Sequence, residues 1–151
     1  GRKKQTVASV GDEDSDFSAG SYIHIQRYRY DLKAWQEVSK AEQEVVMGRT
    51  LSANQKISCA PENSHSERTE LYDENGNALF LNQGMPFADI DQQGFLFISC
   101  AKNGYAFQTL LKHRLGYIDD NGPDMWLEFA KSDFGAAFFA PSVNMLRELA
   151  R

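Results

Sequence analysis

Three histidines, two cysteines and scattered carboxylates are the residues of this 151-residue chain whose types could do chemistry. The cysteines, Cys59 and Cys100, lack CxxC spacing, which favours two buried or half-buried free thiols in a reducing compartment over a disulfide framework. No His-Glu-x-x-His helix, Asp/Gly calcium loop or Gly-x-Ser-x-Gly elbow is spelled out, so zinc, EF-hand and serine-hydrolase chemistry lack support. His24 falls on the polar side of an alternating stretch and His113 lies between Lys112 and Arg114, so both read as solvated surface residues. His65, in Asn63-Ser64-His65, is the histidine that a loop could aim into a pocket. An imidazole there could ligate a metal or carry a proton, and spacing alone does not choose between those roles and an ordinary loop position. Asn82-Gln83-Gly84-Met85-Pro86-Phe87 follows about one strand and turn later. On their own, the carboxylates from Asp12 to Asp16 and at Asp119-Asp120 read as turn and solvation residues.

The elements that must position these residues alternate between strand and helix. Residues 1–19 are polar and acidic, with too few apolar positions to bury a face, and read as an arm or linker. The opening Gly1-Arg2-Lys3-Lys4, without an initiator Met, is consistent with a fragment of a longer chain. Ile23 and Ile25 alternate with His24 and Gln26, predicting a strand over Ser21 to Tyr30. Asp31 offers an N-cap to a helix carrying Leu32 and Trp35, and Ser39-Lys40-Ala41-Glu42 spells a capping box for a second helix that Gly48 stops. A long, mostly polar loop from Thr50 to Ser64 follows; at that length it should be either disordered or functional.

Asn75-Gly76 signals a hairpin turn, with Ala78-Leu79-Phe80-Leu81 as the returning strand. Gly94 to Ala101 is the most apolar run and the best central strand. Phe107, Leu110, Leu111 and Leu115 recur at helical spacing, so a helix over Tyr105 to Leu115 should pack on the sheet. Asp124 begins a short helix with Trp126, Leu127 and Phe129; Ala136 to Phe139 is a last strand; Pro141-Ser142 leads into a terminal helix. With no Rossmann or P-loop glycine signature, the expected fold class is α+β, a mostly antiparallel sheet with helices on one face.

Composition sets outer bounds. With 42% apolar residues and 12% aromatics, the chain can bury one core. A net charge of −5 and no basic run after Lys4 argue against a nucleic-acid partner. No apolar run approaches a membrane span and no leader is evident, so a cytoplasmic location without a membrane partner is expected.

A set of short motifs spread over most of the chain resembles the C-terminal half of the dye-decolourising (DyP-type) haem peroxidase family. They are Gly11-Asp12-Glu13-Asp14, Ala19-Gly20-Ser21-Tyr22, Gln26-Arg27-Tyr28, Asp31-Leu32, Trp35, Glu42-Gln43-Glu44, Gly48-Arg49-Thr50, Ser64-His65, Met85-Pro86-Phe87 and Phe138-Phe139-Ala140-Pro141-Ser142. Each is weak alone, but order and spacing match from about residue 8 to the end.

The resemblance implies a ferredoxin-like domain over residues 20–151 that binds haem b, in a family whose full-length members carry two such domains and form oligomers. It implies hydrogen peroxide and an organic reductant as partners, and a homo-oligomer. By position, His65 corresponds to the proximal iron ligand, the metal contact. Asp124, in Asp124-Met125-Trp126-Leu127-Glu128-Phe129, corresponds to the acid that takes the other ring N–H. Arg49 corresponds to an arginine near a haem propionate. Phe95 and Phe97, or their alternates Leu96 and Ile98, would line the haem face.

Two main departures and one smaller one accompany these matches. The family's distal arginine precedes Met-Pro-Phe by three residues, and that place holds Asn82, which can donate a hydrogen bond but brings no positive charge. The family's distal Gly-x-x-Asp-Gly motif lies upstream of Gly1, and Ser66 follows the ligand where a branched apolar residue is usual. Three readings follow: a haem-dependent peroxidase domain; a haem- or porphyrin-binding module with weakened catalysis, Asn82 standing at the catalytic position; or a cofactor-free ferredoxin-like assembly domain.

Overall fold

Alternation in Ser21–Tyr30 produces the strand it predicts, β1, which takes an inner place in a four-stranded sheet. The structure, a computed structural model, describes residues 8–11 and 16–151; the Arg2-Lys3-Lys4 cluster, the acidic residues Asp12, Glu13 and Asp14, and so most of the Gly11–Asp14 motif, lie outside the described residues. The other strands are β2 (Leu81–Ala88), β3 (Gln93–Ala101) and β4 (Ala130–Ala140), in the order β2-β3-β1-β4 with every neighbouring pair antiparallel. Helices α1 (Leu32–Glu37), α2 (Lys40–Met47) and α3 (His65–Thr69) lead from β1 to β2; α4 (Tyr105–Arg114) and a 3-10 turn (Met125–Glu128) lead from β3 to β4; α5 (Val143–Leu149) ends the chain. This βαββαβ order on an antiparallel sheet is the ferredoxin-like α+β fold expected.

Local chemistry explains the boundaries. Asp31 accepts from the Ala34 N–H at the start of α1, and Ser39 and Glu42 close the capping box of α2 from both sides. Gly48 ends α2 at φ +67°, a left-handed conformation that costs glycine little.

The hairpin differs from expectation. Asn75-Gly76 does turn the chain, but it closes a single bridge, Tyr72 to Ala78. The returning strand is β2, starting at Leu81, because Phe80 is drawn into the core instead. The turn of the true hairpin is Asp89-Ile90-Asp91-Gln92, where the Asp89 carboxylate accepts from the Asp91 and Gln92 N–H groups. Pro86 is tolerated in β2 because that strand lies at the sheet edge. The segment before α3 is ordered: Asn54 N–H reaches Thr50 O, Thr50 N–H reaches Gln55 O and Ile57 N–H returns to Gly48 O.

Register decides which residues share a face. Tyr22, His24, Gln26 and Tyr28 of β1 pair with Ala101, Ser99, Phe97 and Phe95 of β3, and this is the face under the helices. The core there comprises Phe80, Ala101, Ala106, Phe107 and Leu110, with Tyr22, Leu71, Leu79 and Phe97 packed against it. Ile23, Ile25, Leu96, Ile98, Phe134 and Phe138 face the other way, and Phe134 and Phe138 remain half exposed. A bulge between Arg27 and Tyr28 places Asp133 where it takes both Arg27 and Arg29.

Three surface assignments need correction. His24 is buried, not solvated: its ring stacks on Phe107 at 5.2 Å and Nδ1 has no partner. The polar-looking side of β1 is the one α4 covers, so alternation was read correctly and its outside was misplaced. His113 is half-buried on α4. Cys59 is exposed and Cys100 half-buried, both free. Among the described residues no helix is long and apolar enough to cross a membrane.

Burial lowers the His24 pKa from its ordinary 6.5. The folded state then binds fewer protons than the unfolded one below that value, so this contribution is complete above pH 6.5 and lost as pH falls through the lowered pKa. His24→Phe should keep the stack on Phe107 and reduce the pH slope of stability, read by urea unfolding from about pH 7.5 to 5.5. An unchanged slope would contradict the burial argument.

Candidate functional site

Gly48 sets how closely α2 and α3 approach. A Cβ added there would overlap Ser66 Oγ and lie 2.6 Å from Ser64 Oγ, and both serines are fully buried. His65 is the first residue of a short helix, with Ser64 at the N-cap position but making no side-chain capping bond, and is not a loop residue. Its side chain stays 25% exposed while its neighbours on either side are buried.

Nδ1 of His65 lies 2.9 Å from Asp124 Oδ2. Asp124 is 1% exposed and starts the 3-10 turn, its Oδ1 accepting from the Trp126 N–H. Burial works to raise its carboxyl pKa, but the hydrogen bond and charge of His65, together with the Arg114 guanidinium, outweigh it and hold the carboxyl below its ordinary value. An ionised carboxylate only accepts, so the bridging proton sits on His65 Nδ1, and the neutral tautomer of the ring has its lone pair on Nε2. No hydrogen bond to Nε2 is formed among the described residues. An imidazole oriented in this way could ligate a metal or carry a proton.

Three further groups hold the pair in place. Arg114, 4% exposed, donates Nε–H to the same Asp124 Oδ2 at 2.9 Å, and its carbonyl accepts from the Asp124 N–H. Arg68 stands one helical turn after His65 and is 1% exposed; its fork binds both Asp119 oxygens at 2.8 and 2.7 Å and the Gly122 carbonyl at 2.7 Å. One helix thus carries the imidazole and also clamps the loop that delivers Asp124 to it. Asp119 is the exposed turn residue expected, its Oδ1 accepting from the Asn121 N–H, and it is in addition the counter-ion of Arg68. Trp126 lies 6.3 Å from the His65 ring and continues into Trp35, Tyr30 and Phe129.

The remaining sequence candidates divide by strand parity. Phe95 and Phe97 lie on the helix-covered face; their alternates Leu96 and Ile98 lie on the open one. Phe97 joins the edge of the core, while the Phe95 ring occupies the space a side chain at Gly84 would need. Asn82 pairs with Ser99 on the same face as Phe95, and its Oδ1 accepts from the buried Ser99 Oγ at 2.9 Å. Its amide NH2 is left to donate. Arg49 is held by Glu70 through Nε at 3.0 Å and by the Asn54 carbonyl at 2.6 Å, leaving other guanidinium protons uncommitted.

Arg114, Arg68 and Tyr28 are the members that sequence reasoning missed. Arg114 follows Lys112 and His113 in a run that looks like a solvated helix end, and nothing local reports that it meets a carboxylate from the next loop. Tyr28 had a signal: its position in the β1 alternation, on the face that includes His24.

The profile of the family described as "Dyp-type peroxidase, C-terminal" matches residues 1–145. The chain belongs to the Dyp-type peroxidase family. It is 29% identical over 143 residues to a dye-decolorizing peroxidase of Mycolicibacterium paratuberculosis, covering 91% of this chain and 40% of that protein. For the Rhodococcus erythropolis dye-decolorizing peroxidase the identity is 29% over 151 residues, covering 97% and 44%. Among solved structures, a protein of Shewanella oneidensis described as a dyp-type peroxidase superposes with a TM-score of 0.91 at 36% identity, covering 98% of this chain and 49% of that one. A variant of DypB from Rhodococcus jostii in complex with heme superposes at 0.88 with 34% identity, covering 97% and 49%. The chain therefore spans less than half the length of these curated relatives and about half that of the solved chains.

The clamp below His65 is open to test through Asp119. Its carboxyl is held well below its ordinary 3.8, first by the Arg68 hydrogen bond. A lowered folded pKa means that the stabilisation is complete above 3.8 and lost as pH falls through the folded value. Asp119→Asn, leaving Arg68 buried without its counter-ion, should lower the melting temperature at neutral pH. The gap between variant and parent should narrow in strong acid. A melting temperature equal to the parent's at neutral pH would show that Arg68 does not depend on this partner.

Proposed function

We propose that this chain is a haem-binding domain of a peroxidase, with His65 Nε2 as the protein ligand to the iron. The observation that carries the reading is the buried Asp124 carboxylate holding His65 Nδ1–H, which leaves Nε2 as the outward-facing donor. The donor set would suit a group that takes a single protein ligand: among the described residues no three or more His, Cys, Asp or Glu side chains stand together as a metal cluster.

Bound haem b would supply the iron at which hydrogen peroxide is reduced while an organic reductant is oxidised. The chain's own contribution is positional. Asp124 fixes the His65 tautomer and ring direction and increases the basicity of Nε2. Phe95 and Phe97 offer apolar surface on the sheet face from which Tyr28 reaches Arg114, and so the His65 pair. Arg49 retains donors for a carboxylate such as a haem propionate, alongside its bond to Glu70. Asn82, its carbonyl oxygen engaged by Ser99, has an NH2 left to donate to a polar ligand.

A second reading, a haem or porphyrin binder with weakened peroxide chemistry, is favoured by Asn82 itself. A neutral amide stabilises developing negative charge less than a guanidinium does. The two readings share the haem and differ in turnover. The half-exposed Phe134 and Phe138 and the apolar face around them suit cover by another protein surface. They support a domain that works within a larger assembly, either a homo-oligomer or the two-domain chain of a full-length relative. A cytoplasmic setting agrees with the two free thiols.

Titration of the chain with haem should produce a Soret band that His65→Ala abolishes; an identical spectrum from the variant would exclude His65 as ligand. Asp124→Asn should weaken haem binding by roughly 10- to 100-fold. Asn82→Arg should accelerate reaction with peroxide by on the order of tenfold or more, followed by stopped-flow absorbance. No gain would show that the missing charge is not what limits the chain.

A further inference from the structure

Asp124 Oδ2 serves two donors at once. His65 Nδ1 and Arg114 Nε each lie 2.9 Å from that single oxygen, while Oδ1 is taken by the Trp126 N–H. The second donor is a permanent cation. Its NH1 donates to the Tyr28 hydroxyl, its guanidinium carbon sits 4.7 Å over the Tyr28 ring, and the Tyr28 hydroxyl donates to Gln26 Oε1 at 2.6 Å. Gln26, Tyr28, Arg114 and Asp124 are all at most 8% exposed, so the run from sheet to imidazole is a dry one. In such surroundings a cation sharing the carboxylate oxygen draws negative charge away from its other partner.

We infer that Arg114, held by Tyr28, is a positioning residue that limits how strongly Asp124 polarises His65, and so sets the electron-donating power of Nε2 toward the iron. This rests on the haem reading above. A carboxylate facing only the imidazole N–H would give His65 more imidazolate character and stabilise the ferric state; sharing it with Arg114 moves the balance toward ferrous iron. The geometry also shows why arginine is used. Nε addresses the carboxylate, NH1 addresses the phenol, and the flat cation stacks on the ring, three contacts that a lysine ammonium cannot make together.

The test is the ferric/ferrous midpoint of the haem-loaded chain, with the iron–histidine stretching frequency of its ferrous form as the companion readout. Arg114→Gln keeps a donor at the site and removes the charge. The midpoint should fall by about tenfold in relative affinity for ferric over ferrous haem, ~59 mV for one electron, and the stretching frequency should rise. Arg114→Lys should return both toward the parent values, which a purely structural role would not require. A midpoint that stays put or rises in a folded Arg114→Gln would overturn the inference. Should that variant not fold, the parent decides by NMR: the Arg114 Nε–H and His65 Nδ1–H protons should both exchange slowly with solvent, and rapid exchange at Arg114 would refute the shared contact. Absence of a Soret band in the parent would instead remove the haem reading, a result distinguishable from failure of the Arg114 inference alone.

Discussion

A carboxylate with almost no contact with water is the constraint on which the rest of this structure depends. Asp124 is 1% exposed and ionised, and a buried charge persists only when its partners replace the lost hydration. Those partners come from separated parts of the chain: His65 from the start of α3, Arg114 from the end of α4 and Trp126 from the 3-10 turn. Satisfying one carboxylate therefore closes α3 against α4. The Gly48 approach and the Arg68 fork are the supports that make the closure possible, the first by leaving room for Ser64 and Ser66, the second by pinning the loop ahead of Asp124.

The sheet contributes more than a platform. Its covered face carries His24, Gln26 and Tyr28, polar side chains that an amphipathic strand would normally send to water. Tyr28 and Gln26 are explained by Arg114, since a buried guanidinium needs acceptors beyond one carboxylate oxygen. His24 is satisfied less fully, stacking on Phe107 with Nδ1 unpartnered. The opposite face is the more apolar of the two, with half-exposed phenylalanines. The curated relatives are more than twice the length of this chain.

Along β2, two residues are committed to the facing strand β3. Asn82 engages Ser99, and Gly84 leaves the space that the Phe95 ring fills. This strand face is consequently neutral and partly filled by an aromatic ring, whereas the side with His65 retains its oriented imidazole.

Much of the fold was legible because its signals are local. The β1 alternation, the Asp31 and Ser39 caps, Gly48 and the apolar run of β3 each fix backbone geometry through residues a few positions apart. His65 and Asp124 were legible only through the family resemblance, since nothing in their spacing pairs an imidazole with a carboxylate 59 residues away. Tertiary structure alone decided which face of β1 is inside, that β2 begins after Phe80, and that Arg68 and Arg114 are buried cations instead of surface charge. The reason is physical. Periodicity tells which residues share a face, but which face loses water, and which charge meets which, is set by elements that arrive from elsewhere in the chain.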